Sequence, residues 1–149
     1  MTIKQLSVFI ENKQGALLRV LDILKAANVQ LIATTLADTA DFGICRIICA
    51  HPTTAFHQLQ EEGVAVTLSE VFAVELDNQP GMAADAISAI AKEGIEITYL
   101  YSFLLAGKGI LIFRTDQTER AEETLLLNHL KVLTDRTLRE LADQPNDGR

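Results

Sequence analysis

Leu6, Val8 and Ile10 alternate with Ser7, Phe9 and Glu11, the period of two that predicts a strand with one face buried. The run ends in Asn12-Lys13-Gln14-Gly15, a set of turn residues, and the period then changes. Leu17, Leu18, Leu21 and Leu24 recur at helical spacing as far as Ala27, with Asn28 as a fitting stop. Residues 29–36 read as a second strand, 37–42 as a polar turn and 43–49 as a third strand rich in isoleucine. Pro52 opens a second helix that turns Phe56 and Leu59 inward, Gly63 ends it, and residues 64–68 make a fourth strand.

The order βαββαβ then repeats: strand 71–76, helix 81–93, strands 95–104 and 109–115, helix 118–128, strand 130–133. A shift of 66 positions, the separation of Gly15 from Gly81, lays the chain over itself without a gap. It places Asn12 on Asn78, Val8 on Val74, Gly43 on Gly109, Ala55 on Ala121 and Leu59 on Leu125. The chain therefore reads as α+β: two ferredoxin-like units in tandem, each an antiparallel four-stranded sheet with its helices on one face. The expected domains are 1–69 and 70–134, followed over 135–149 by a short helix at 135–142 and a frayed tail at 144–149.

The third strands carry apolar residues on both faces: Cys45, Ile47 and Cys49 alternate with Ile44, Arg46 and Ile48, and Ile110 and Ile112 alternate with Leu111 and Phe113. A single-layer sheet facing water is polar on one side. Packing of the second face between chains is therefore expected, with scattered surface isoleucine as the alternative. Units this small bury proportionally little surface, which adds to the expectation of a homodimer. At 48% hydrophobic residues and no tryptophan, the core must be aliphatic.

A net charge of −7 repels phosphate backbones and anionic lipids, so neither nucleic acid nor membrane is an expected partner. No apolar run approaches membrane-spanning length and the first residues lack a signal-peptide pattern, so a cytoplasmic location is expected. Cys45 and Cys49 stand four residues apart on one strand, roughly 13 Å at about 3.3 Å per residue, too far for a disulfide.

The one polar motif present in both halves is Asn-x-x-Gly between first strand and first helix. Glycine lets backbone and ligand approach closely, and first-turn N–H groups with the helix dipole favour a carboxylate. Asn12 or Asn78 adds an amide, so the set suits a zwitterion; Asn and Gly are equally ordinary turn residues and caps.

With these residues the chain resembles the ACT domain, a regulatory module that binds amino acids and related metabolites. The likeness spans nearly the whole chain. It is closest to stand-alone proteins of two tandem ACT domains, through Val8-Phe9-Ile10-Glu11-Asn12-Lys13 and Ala37-Asp38-Thr39-Ala40-Asp41-Phe42-Gly43-Ile44. The resemblance implies paired units with ligand held at their interface by the strand-to-helix loop. Carried over, that loop runs from Asn12 to Leu17 in one half, with Asn12, Gln14, Gly15, Ala16 and Leu17 as its site residues, and from Asn78 to Ala83 in the other, with Asn78, Pro80, Gly81, Met82 and Ala83. Gln14 stands where the family has proline. Ala33, Thr35 and Ala37 align with Tyr99, Tyr101 and Phe103, whose rings fill the second pocket, line a neighbouring one or pack in the core. Asp38 and Asp41 either meet a ligand ammonium or cap the hairpin.

His51, His57 and His129 lack metal-ligand spacing, and no catalytic constellation, metal site or cofactor is indicated. RNA-recognition modules share the βαββαβ order but stack bases on exposed aromatics, which the third strands here lack. The sequence thus points to a non-catalytic regulatory protein that binds a small molecule, an amino acid or similar carboxylate. The alternatives are a ligand-free interaction subunit of a metabolic enzyme and, third, a small ferredoxin-like enzyme.

Overall fold

The computed structural model describes residues 1–11, 13–38, 41–77 and 79–144. Its elements run β1 (Ile3–Glu11), α1 (Ala16–Ala26), β2 (Leu31–Asp38), β3 (Phe42–Cys49), α2 (Pro52–Glu61), β4 (Val66–Leu76), α3 (Met82–Lys92), β5 (Tyr99–Leu105), β6 (Lys108–Arg114), α4 (Thr118–Leu127), β7 (Lys131–Val132) and α5 (Asp135–Ala142). They fall into two compact units, Lys4–Ser69, and Met1–Ile3 with Glu70–Arg149.

In the first unit the strand order is β2-β3-β1-β4, and in the second β5-β6-β4-β7. The 66-residue echo is a register. Val8 pairs with Cys45 in the first unit and Val74 with Leu111 in the second; Ala33 pairs with Ile48, and Tyr99 with Arg114. Every one of these pairings is antiparallel.

Each sheet packs one face on two helices. In the first unit, Val8, Cys45 and Ile47 meet Val20, Leu24 and Leu59. In the second, Phe72, Val74 and Phe113 meet Ala86, Ile90 and Leu125, and the Phe72 and Phe113 rings stack at 5.2 Å. Cys45 and Cys49 are free and buried, and burial pushes the Cys45 thiol above its usual pKa, the opposite of an activated thiolate.

The helices stop where left-handed residues turn the chain. Asn28 takes φ 58° after α1, and the Val29 N–H donates to Leu24 O at 3.0 Å; Gly63 at φ 78° does the same after α2, with Val64 N–H on Leu59 O at 3.0 Å. Those caps consume the residues expected to begin the next strands, so β2 starts at Leu31 rather than 29 and β4 at Val66 rather than 64.

Two expectations change. Residues 64–68 and 71–76 were read as separate strands, yet β4 runs unbroken from Val66 to Leu76, because Ser69-Glu70 offers neither glycine nor proline to turn the chain. The second sheet face was assigned to packing between chains, yet Ile48, Ile110 and Ile112 are already buried within one chain. In the second unit α5 adds Leu138 and Leu141, buried but outside the core on α3 and α4. Its N-terminus is capped by Thr134, whose hydroxyl accepts from the Thr137 N–H at 3.1 Å. Residues 145–149 of the expected tail lie outside the described residues.

Phe113→Ala is expected to lower stability by about 3–5 kcal/mol, the cost of emptying a close-packed aromatic site. Leu127→Ala, on a residue 73% exposed, is expected to stay within about 0.5 kcal/mol of the parent. Urea unfolding followed by circular dichroism checks both.

Candidate functional site

Both strand-to-helix junctions are built alike. The Lys13 N–H donates to Glu11 O at 2.7 Å and the Gln79 N–H to Asp77 O at 2.8 Å. The Ala16 N–H then donates to Lys13 O at 3.2 Å and the Met82 N–H to Gln79 O at 3.4 Å. Gly15 and Gly81 head α1 and α3 with φ of 85° and 86°, a left-handed turn that swings the chain from strand into helix. A Cβ on either glycine would meet nothing within 4 Å, so backbone conformation, not crowding, demands glycine here. Neither glycine has a side chain to cap its helix, and Ala16 and Met82 already spend their N–H groups within the turn. The donors left to a ligand lie further into the first helical turn.

The first junction opens on a cleft of about 680 Å³. One wall is apolar, from Phe9, Ile10, Phe42 and Val64; charge comes from Glu11, Lys13, Arg19 and Asp41; Gln14, Gly15 and Ala16 form the floor of the loop. The Phe9 and Phe42 rings lie 5.8 Å apart, tilted by 59°, and both are exposed. Lys13 Nζ sits 2.7 Å from Glu11 Oε2, which holds the Glu11 carboxyl below its usual pKa and raises that of Lys13. Arg19 Nη2 donates to Glu62 O at 2.5 Å, which ties the guanidinium to the C-terminal end of α2.

The second junction opens differently. Its cleft, about 340 Å³, is bounded by Leu76, Asp77, Gln79, Met82 and Ala83 and, across from them, by Ser102, Phe103 and Leu104 of β5. Among the described residues no basic side chain lines it. The 66-residue shift puts Asp85 where α1 has Arg19 and Gln79 where the first loop has Lys13. The N-terminal turn of α1 contains no acidic residue, whereas that of α3 contains Asp85. The dipole at the first helix start is therefore not offset by an acid within its own turn, whereas Asp85 offsets it in the second.

Of the expected site residues, Gln14, Gly15 and Ala16 line the first cleft and Met82 and Ala83 the second. Leu17 instead packs partly buried on the first core. Pro80 and Gly81 are exposed in the turn itself. Tyr99 and Tyr101 pair with Arg114 and Ile112, which places them on the sheet face away from α3 and α4, and neither lines the second cleft. Phe103 shares that face but reaches the cleft wall. Asn12, Asn78 and the Asp38 side chain lie outside the described residues; the Asp38 backbone pairs with Gly43 at the end of β2.

Lys13 falls within the expected loop, whereas Arg19, Phe9 and Phe42 were not anticipated. The signal for Arg19 was present in the repeat, as a reversal of charge at one aligned position. Val64 and Ala65 carried none, since only the fold returns the end of α2 to the loop. Among the described residues no group of three His, Cys, Asp or Glu could hold a metal ion, and no helix is long and apolar enough to cross a membrane.

Gln14→Pro copies into the first loop the residue that the equivalent turn already holds at Pro80. It is expected to stabilise the protein by about 0.4–1 kcal/mol through the unfolded chain, read as a rise in the urea midpoint at constant slope.

A family model described as an ACT domain pair matches residues 1–142. A protein of Bacteroides thetaiotaomicron of known structure is similar at 33% identity, with 95% of this chain and 98% of that one covered and a TM-score of 0.89. The regulatory subunit of aspartate kinase from Thermus thermophilus is similar at 14% identity over 83% of this chain and 91% of that one, with a TM-score of 0.59. Its counterpart from Thermus flavus gives 16% identity, 85% and 90% coverage and 0.60. At those identities the two Thermus proteins show a shared fold. No curated protein matches the chain. The duplicated register, the twin glycine-headed helices and the family match converge: the chain belongs to the ACT domain pair family.

Proposed function

We propose that this ACT domain pair is a non-catalytic regulatory protein that binds a free amino acid in the cleft beside Gly15. The observation that carries the reading is the charge difference between the twin junctions: Arg19 of α1 is reversed to Asp85 in α3, and Lys13 of the first loop is replaced by the uncharged Gln79. A ligand carboxylate is attracted to the N-terminal turn of α1, whose dipole no acidic residue of that turn offsets, and to the two cations. The ammonium group finds Glu11 or Asp41 on the same rim. Phe9, Ile10, Phe42 and Val64 offer an apolar wall to the side chain. Size supports the same choice, since the second cleft has about half the volume of the first.

Ligand would draw the loop, the end of β1 and the segment after α2 together, and so stiffen one end of the first unit. Passing that change to a cytoplasmic metabolic enzyme is the regulatory step this reading expects; the fold is one that regulatory subunits of aspartate kinase also have.

A thermal-shift screen of the proteinogenic amino acids tests the proposal. The cognate ligand at a hundred times its dissociation constant is expected to stabilise the protein by about 2.7 kcal/mol. Arg19→Asp should abolish the shift and Asp85→Arg should leave it intact. A screen without any shift, or an Arg19→Asp variant that responds like the parent, overturns it.

A further inference from the structure

The 66-residue shift carries Phe9 onto Glu75, Phe42 onto Lys108 and Ala65 onto Lys131. In the second unit those three residues form one ionic cluster: Lys108 Nζ lies 3.4 Å from Glu75 Oε1, and Lys131 Nζ lies 3.2 Å from Glu75 Oε2. In the first unit the same three positions line the cleft beside Gly15, as two rings and a methyl group. Among the described residues none of the ionic cluster lines the second cleft, so the exchange of charge for aromatic surface belongs to the first. Scattered exposed apolar residues are ordinary on a protein surface. Phe9 at 45% and Phe42 at 39% exposure are not scattered: they stand ring to ring on one cavity, at a place where the other copy of the scaffold carries an ion pair.

We propose that the Phe9–Phe42 pair makes this cleft selective for amino acids with an aromatic side chain; the inference rests on the amino-acid reading given above. The two ring centroids stand 5.8 Å apart with the planes tilted by 59°. A ligand ring stacked on one phenylalanine therefore presents its edge to the other, and offset stacking and edge-to-face contact are the arrangements that aromatic rings prefer. An aliphatic side chain covers the same rings without that electrostatic match. Ala65 leaves open the position that Lys131 holds in the second unit, which gives a third ring room. Charge argues against the remaining side chains. Glu11, Lys13, Arg19 and Asp41 bring two negative and two positive groups to the cleft, and Glu11 and Lys13 already pair at 2.7 Å. A zwitterion adds one charge of each sign, so a further charge on the ligand's side chain would lie against apolar surface without a counter-charge.

Isothermal titration calorimetry of the full chain tests the proposal with L-phenylalanine, L-tyrosine and L-tryptophan against L-leucine, L-aspartate and L-lysine. The tightest aromatic ligand is expected to bind at least about tenfold more tightly than leucine, since each ring pair adds roughly twofold to tenfold. Aspartate and lysine should bind more weakly still. Phe9→Glu combined with Phe42→Lys copies the second unit's pair onto the first and should bring the aromatic and leucine affinities within about twofold of each other. Its circular dichroism spectrum should match the parent's, because both residues are exposed. Phe9→Leu keeps an apolar wall and should weaken aromatic binding about fivefold while leaving leucine binding within about twofold, whereas a purely structural role would lower both alike. Leucine, aspartate or lysine binding as tightly as the aromatics overturns the selectivity and leaves the amino-acid reading standing, as does a preference unmoved by Phe9→Leu and by the double substitution. If no amino acid binds, both fall.

Discussion

Everything at the candidate site depends on one short change of direction, in which a strand must end and a helix begin, running back over it, with almost no chain to spare. The left-handed backbone of Gly15 and Gly81 meets that constraint. A residue with a Cβ would hold such a conformation only with strain of about 1–3 kcal/mol. Because the turn is so short, the first helical turn is fixed above the end of β1 or β4, and the strand's last side chains and the helix N-terminus become neighbours by geometry alone.

Given that fixed scaffold, the two copies differ by decoration. The backbone turns share their hydrogen bonds and their φ values almost to the degree, and the strand registers superimpose under the same 66-residue shift. What differs is charge at the aligned positions of Arg19 and Asp85, and which neighbouring segment walls the cleft: the residues after α2 in one unit, β5 in the other. Duplicated scaffolds of this kind conserve the costly part, the backbone turn and the packed sheet, and leave surface side chains free to diverge.

Much of this could be read from the sequence, for identifiable reasons. Periodicity located the first helix through Leu17 and Leu24, which do reach the core, although Leu18 of the same pattern is exposed and Val20, outside it, is buried. Strand starts were less legible: Val29 and Val64 are apolar like strand residues, yet their N–H groups close the preceding helices. The join inside β4 was hidden because two apolar runs separated by Ser69-Glu70 look like two strands when no turn residue is required between them. At the site, the glycines stood out in the repeat, whereas the face that Tyr99 and Tyr101 occupy did not. They lie on an alternating strand, so their face is set by a register that only the pairing with β6 reveals.

The unbroken course of β4 has a consequence for how the molecule can be taken apart. The repeat is 66 residues long, but its boundary is not a seam. A cut between Ser69 and Glu70 severs a strand in mid-course, and it also strands Ile3, fully buried, on the fragment to which it does not belong, since Met1–Ile3 group with the second unit. The two halves are copies in sequence, yet the strand that joins them belongs to both.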